Sequence, residues 1–218
     1  MMSFAPVAPS SSAPQFPAYH RPTDQVIKEF PTVPAIQSGA TEQSVFAWAE
    51  QLAHSLPGGN DVEILPSSYT GTPFTHVYAI QKYHGLPLLN TQLHLTIAKE
   101  KVVQANSSFR DLNGVTETHG TDDAELLSLA QVGSIVKNQF VDSNAAEWLG
   151  AGFEQTLAAK GTVVASAGFS KPAVGELGWY VTSDNALVKV WQITTMNGSI
   201  VADAKNGQVI AFNSHIAY

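Results

Sequence analysis

From Thr41 onward apolar residues recur at helical spacing, with Val45, Trp48, Ala49, Leu52 and Leu56 on one stripe, and Pro57-Gly58-Gly59 halts the run. This predicts one amphipathic helix. Past Pro66 the pattern turns to strand-like alternation: β-rich runs cover Thr75 to Tyr83, Leu86 to Ala98 and Val102 to Phe109, with turn signals at His84-Gly85 and around Lys99-Glu100. The expected product is a helix followed by an antiparallel meander.

The same order then recurs. After a polar stretch containing Asn113-Gly114 and His119-Gly120, Thr121 is placed to cap a second helix, with Asp122, Asp123 and Glu125 in the first turn, where the helix dipole favours carboxylates. Leu126, Leu129, Ala130, Gly133, Val136 and Phe140 make its apolar stripe. A further helical segment is expected from Ala145 to Ala159, carrying Trp148, Leu149, Phe153 and Leu157 and stopped by Gly161. Strand-like runs follow at Thr162 to Phe169, Gly178 to Thr182, Leu187 to Thr194 and Ser199 to Asn213. Inside the last, Asn206-Gly207 predicts a hairpin, since this pair supplies the two positive-φ positions of a type I′ turn. The fold class is therefore α+β, with two helix-on-antiparallel-sheet modules over residues 41–110 and 121–218.

Residues 1–40 break the pattern. Seven of the twelve prolines fall between Pro6 and Pro34, interleaved with Ser10-Ser11-Ser12, so no helix ladder is sustained there. They read as an extended Pro/Ser-rich arm, either a tail or a segment laid across the folded body.

Composition narrows the function classes. Hydrophobic residues make up 44% and charged residues 13% of the 218, enough apolar content for a core under a surface rich in Ser, Thr, Asn and Gln. The net charge is −7 and the basic residues are scattered singly, which argues against nucleic acid as a partner. No apolar run is long enough to span a membrane. Met1-Met2-Ser3-Phe4-Ala5-Pro6 has neither the basic nor the apolar region of a signal peptide, so as written the chain reads as cytoplasmic or unconventionally secreted. With no Cys, thiol nucleophiles, disulfides and thiolate metal sites are excluded. Two glycosylation sequons, at Asn106 and Asn197, matter only in a secretory pathway.

Catalytic signatures are missing: there is no His-Glu-x-x-His, Gly-x-Ser-x-Gly, Walker loop, dinucleotide fingerprint or calcium loop. The expectation is a non-enzyme with no cofactor and no metal. His76, His84 and His94 cluster in the first sheet, and His76 and His94 become neighbours if their strands pair; a zinc site needs three converging ligands, so these read as half-exposed strand residues. Asp203, one step before a tight turn, reads as a carboxylate that hydrogen-bonds local backbone. Trp48, Trp148, Trp179 and Trp191 lie on helical stripes or on strands expected to face a helix, which makes them core.

The run Thr75-His76-Val77-Tyr78-Ala79-Ile80-Gln81-Lys82-Tyr83-His84-Gly85-Leu86-Pro87-Leu88-Leu89-Asn90, continuing to Ser107-Ser108-Phe109, resembles the fungalysin/thermolysin propeptide (FTP) domain. The carrying features are the Thr-His-Val strand, Gln81 before the turn at Gly85, Asn90 opening the next strand and the closing Ser-Ser-Phe. In the second half, Ile200-Val201-Ala202-Asp203-Ala204 with Asn206-Gly207 and Val209-Ile210 is similar to the hairpin that closes these propeptides, the PepSY module. The resemblance implies a cystatin-like plan, FTP-like then PepSY-like. Thr75, His76, Gln81, Gly85, Asn90, Asp203 and Gly207 are its motif positions, with structural roles.

In that family the two-module unit precedes a secreted fungal zinc metallopeptidase, assists its folding and inhibits it until cleavage. Lys99-Glu100-Lys101 departs from the usual Asp-Gly type turn, and the sequence stops at Tyr218, where a peptidase domain is expected. An excised propeptide and a free-standing relative are the two explanations, and Met1 with the long arm favours the second. The function implied is a non-catalytic, propeptide-like protein that binds and inhibits or chaperones a fungalysin-type zinc metallopeptidase. The alternative is a free-standing recognition protein, carbohydrate-binding or oligomeric. In related propeptides the C-terminal stretch runs toward the peptidase cleft, which makes His215, Ile216, Ala217 and Tyr218 the candidate partner-binding residues, unless they form a frayed tail.

Overall fold

The computed structural model describes residues 15–20, 22, 25–27, 41–65, 68–70, 73–98, 101–118, 125–140, 148–150, 152–160 and 173–215. It is an α+β protein, mostly strands, with antiparallel and mixed sheets. The chain divides into two compact units, His20–Asp122 with Leu177–Val190, and Met1–Tyr19 with Asp123–Glu176 and Trp191–Tyr218.

In the unit built on His20–Asp122, helix α1 (Glu42–His54) starts where Thr41 Oγ1 accepts the amide of Ser44 at 3.3 Å, with Glu42 in the first turn. Its buried face, Val45, Ala49, Leu52 and Ala53, packs on a seven-stranded sheet. That sheet runs β1 (Gln25–Val26), β7 (Lys101–Ser107), β6 (Leu93–Ala98), β4 (Thr75–Tyr83), β2 (Val62–Ile64), with β3 (Tyr69–Thr70) and β5 (Leu86–Pro87) also on β4. Val77, Ala79, Leu93, Leu95 and Ala105 are fully buried beneath the helix, and the alternation puts His76, Tyr78 and His94 on the opposite face. Burying Leu52, at 0% exposure, stabilises by about 2 kcal/mol.

The expected strand from Leu86 to Ala98 is interrupted. Thr91 folds back onto Leu88, its amide and hydroxyl both donating to the Leu88 carbonyl at 3.1 and 3.0 Å, so β5 and β6 are separate strands. At His84-Gly85 both residues have positive φ, 48° and 75°, as a two-residue primed turn requires. In the same unit β8 (Thr116–Glu117) pairs in parallel with the start of β11 (Ala186–Thr194), and Leu88, Trp179, Val181 and Leu187 form a second cluster.

The other unit is built on helix α2 (Leu129–Gln139) and the hairpin of β12 (Gly198–Asp203) with β13 (Val209–Ser214). Here β12 lies between β13 and the end of β11, and β9 (Ala158–Ala159) pairs in parallel with the start of β10 (Val174–Val181). Val132, Val136, Phe140, Trp148, Ile193 and Ile200 make the core. Trp148 and Trp179 are buried, whereas Trp48 and Trp191 are half-buried and Trp191 donates its indole N–H to the Leu127 carbonyl at 3.0 Å.

Three local expectations in this unit are corrected. Helix α2 starts at Ser128, in a reciprocal capping box with Gln131, because Leu127 donates its amide to the Ala204 carbonyl at 2.9 Å and is spent on tertiary pairing; Thr121 lies outside the described residues. The continuous helix expected from Ala145 to Ala159 is broken at Gly150 and Gly152, which take φ of 88° and 72°, leaving α3 (Phe153–Thr156) as a single turn. At Asn206-Gly207 only Gly207 has positive φ, 73°, so the hairpin closes with a longer loop than type I′. The strand expected from Thr162 to Phe169 and the Lys99-Glu100 turn lie outside the described residues.

Described parts of the arm pair with sheet edges, Gln25–Val26 as a strand and Ala18 through an isolated bridge to Phe212. Phe212 donates its amide to Pro17 at 3.0 Å and accepts from Tyr19 at 3.3 Å, while Phe16 packs on Phe140 at 4.8 Å. In the other unit, Gln25 and Val26 pair with Ser107 and Asn106.

Candidate functional site

The polar and aromatic residues on and beside the first sheet fall into two chemical groups. The first is made of buried amides that hold backbone. Gln81, 1% exposed, donates from Nε2 to the Arg110 carbonyl at 2.7 Å and accepts the Arg110 amide at Oε1 at 3.0 Å. Asn90, 3% exposed, treats Val181 the same way, at 2.7 and 3.0 Å, and donates also to the His20 carbonyl at 3.0 Å. Each side-chain amide stands in for a backbone partner of one distant residue, satisfying polar groups that burial would otherwise leave unpaired. Thr75 opens β4 opposite Ile97, and Gly85 completes its turn.

The second group is a ladder of rings on the outer face of β4 and β6. In the antiparallel register Tyr78 opposes His94 and His76 opposes Thr96, which places the two imidazoles diagonally. His76 Nδ1 lies 3.1 Å from His94 Nε2 and 3.4 Å from Thr96 Oγ1. Tyr78 stacks on His94 with centroids 4.5 Å apart and planes at 8°, and Phe74 flanks His76 at 6.4 Å. Partial burial, and secondarily the charge His76 can carry, hold the His94 pKa below its ordinary value. Tyr78 was absent from the sequence-derived set, although its position two residues after His76 marks it as sharing that face.

His84 belongs to a different place. Its Nε2 lies 3.6 Å from Glu117 Oε1, the same oxygen that accepts the Tyr83 hydroxyl. That hydrogen bond, then burial and the Glu117 charge, raises the Tyr83 pKa. Beside this cluster opens a polar cleft of about 420 Å³, lined among others by Asn60, Asp61, Tyr83, His84, Asp111 and Asn113. Among the described residues no group of three or more His, Asp or Glu side chains is placed to hold a metal.

In the hairpin unit Asp203 accepts the amides of Lys205 at 2.8 Å and Asn206 at 3.2 Å, while its own carbonyl accepts from Gly207 at 2.8 Å. Gln139 fastens this loop to α2, donating to the Gly207 carbonyl at 2.9 Å and accepting the Val209 amide at 3.0 Å. His215 is exposed past β13; its amide donates to Asn197 at 2.8 Å and its Nε2 lies 3.3 Å from Ser199 Oγ. Ile216, Ala217 and Tyr218 lie outside the described residues.

Residues 61–109 match the family known as the Fungalysin/Thermolysin Propeptide Motif. The matched stretch runs from just before β2 to the residue pair after β7, and contains Thr75, His76, Gln81, Gly85 and Asn90. No curated protein matches the chain.

Proposed function

We propose that the chain is a non-catalytic, propeptide-like protein that binds a fungalysin-type zinc metallopeptidase and inhibits it or assists its folding. The observation that carries this reading is the match of residues 61–109 to a propeptide motif, a family that implies association with a metallopeptidase. Its motif residues Gln81 and Asn90 are spent on internal backbone, which suits a scaffold that presents a surface and leaves chemistry to its partner.

The same reading takes residues 121–218 as a PepSY-like module and the whole as a cystatin-like, two-module plan. It is supported by the α2 helix packed with the β12–β13 hairpin, whose loop Asp203 and Gly207 hold. Contacts to the peptidase come from the sheet faces and from the C-terminal stretch at His215, Ile216, Ala217 and Tyr218, where the His215 imidazole is a competent zinc ligand. Titrating the purified chain into a fungalysin-type enzyme tests the inhibitory part: peptide hydrolysis falls as the chain is added, and undiminished hydrolysis at micromolar excess rules inhibition out. Removing residues 216–218 and substituting His215→Ala then separates tail from sheet, since an unchanged inhibitor assigns the contacts to the sheet faces.

A further inference from the structure

The ring ladder on β4 and β6 lies on an outer sheet face and takes no part in the backbone scaffold that Gln81 and Asn90 hold. We infer that His76 and His94 form a two-imidazole binding site for a divalent first-row transition ion, with Cu²⁺ bound more tightly than Zn²⁺. A first-row ion held by two imidazoles at about 2.0–2.1 Å keeps their nitrogens roughly 3.0–3.4 Å apart. His76 Nδ1 and His94 Nε2 stand 3.1 Å apart with ring centroids at 5.3 Å and planes at 22°, so the spacing suits chelation once both rings turn to aim their lone pairs at a common point.

The pair is also held in place. Both residues sit within strands joined by a five-rung antiparallel ladder from Thr75↔Ile97 to Ala79↔Leu93. The Tyr78 ring lies parallel against His94 and the Phe74 ring stands 6.4 Å from His76, so aromatic surface flanks both imidazoles. Such support lowers the entropy lost on chelation.

In the tautomers that pair the two facing nitrogens, one of them carries the shared proton. When the ion enters, that proton moves to the outer nitrogen of its own ring, so that both facing lone pairs bind metal and each neutral ring keeps one N–H. No net proton release and no redox step is required. With two ligands supplied by the described residues, the remaining positions are open to water or to an external donor. A neutral nitrogen pair of this kind follows the Irving–Williams order, which ranks Cu²⁺ above Zn²⁺ and Ni²⁺. His84 takes no part, since its contacts are with Tyr83 and Glu117.

The test titrates the full chain, stripped with chelator, with Cu²⁺ alone in a weakly coordinating buffer, followed by calorimetry and electron paramagnetic resonance. The expected result is one equivalent bound with superhyperfine coupling to two nitrogens. Affinity falls at least about tenfold in H76Q and in H94Q and stays unchanged in H84Q. Absence of a stoichiometric site, or wild-type affinity in both H76Q and H94Q, overturns the assignment. Should either variant unfold, substoichiometric Cu²⁺ on the wild-type chain decides the matter by NMR. The ring protons of His76 and His94 broaden first if the site is real, and earlier broadening of another histidine refutes it.

Discussion

The side-chain amide of Gln81 grips the backbone of Arg110 at both ends, donating to its carbonyl at 2.7 Å and accepting its N–H at 3.0 Å. Replacing Gln81 with Ala leaves both backbone groups to find water at a site where Gln81 itself is 1% exposed. The expected cost is about 1–3 kcal/mol, read as a lower midpoint in urea unfolding with the slope unchanged. A midpoint equal to that of the wild type means the grip is replaced by solvent.

Asn90→Ala removes three hydrogen bonds, two to Val181 and one to the His20 carbonyl. The loss is expected to be at least as large as for Gln81→Ala, and faster amide exchange at Val181 is its local signature. Protection at Val181 that survives the substitution contradicts the assigned role.

Much of the first unit was legible in the sequence and part of the second was not, for identifiable reasons. The strand from Thr75 to Tyr83 emerged with both ends correct because alternation and a Gly-terminated turn agree there. Helix α1 likewise has a cap, a stripe and a Pro-Gly-Gly stop in one register. Helix α2 has its cap at Ser128 with Gln131, a serine and a glutamine three apart inside a stretch whose apolar stripe runs on past it, and that stripe hides the start. The neighbouring helix failed at glycines hidden inside an apolar stripe, Gly150 and Gly152. At the candidate site, strand pairing brings His76 and His94 together as their spacing allows. The partners of Gln81 and Asn90 lie 29 and 91 residues away, and no local pattern announces them.

Gly207→Ala tests the hairpin loop. Gly207 has φ of 73°, and an added Cβ comes within 2.9 Å of Ile135 Cδ1 and 3.0 Å of its Cβ. Strain at the backbone and crowding against α2 together are expected to cost about 1–3 kcal/mol in denaturant unfolding. Pairing this change with Ile135→Ala removes the Cδ1 and Cγ2 contacts but keeps the Cβ one, so it should recover only part of the crowding share and none of the backbone strain.

The arm is expected to guard an edge. Deleting residues 1–19 removes the Pro17 and Tyr19 partners of Phe212 and takes Phe16 off the aromatic cluster with Phe140 and Phe212. An uncovered β13 edge favours pairing between chains, so light scattering should show dimers or larger species that the full chain does not form at the same concentration. A monomeric truncated chain of undiminished stability would show the arm to be dispensable.

Tyr83 gives a pH signature. Its pKa is raised above 10.0 by the hydrogen bond to Glu117, by burial and by the Glu117 charge. Because the folded chain holds this proton more tightly than the unfolded one, the stabilisation is fully present below pH 10 and is lost as pH rises through the folded value. Tyrosinate absorbance should therefore contain a late component that Tyr83→Phe removes and Glu117→Gln shifts to lower pH. Burial raises Tyr180 as well, so a late component remains in both variants.

The central claim is association with a metallopeptidase, and direct calorimetry on a zinc-loaded, fungalysin-type peptidase domain measures it without relying on inhibition. The propeptide reading predicts a saturable complex of one chain per peptidase with micromolar or tighter affinity, weakened by substitutions on the sheet faces or the C-terminal stretch. Titrations that release no heat at several temperatures, with no co-migrating species on gel filtration, would contradict it.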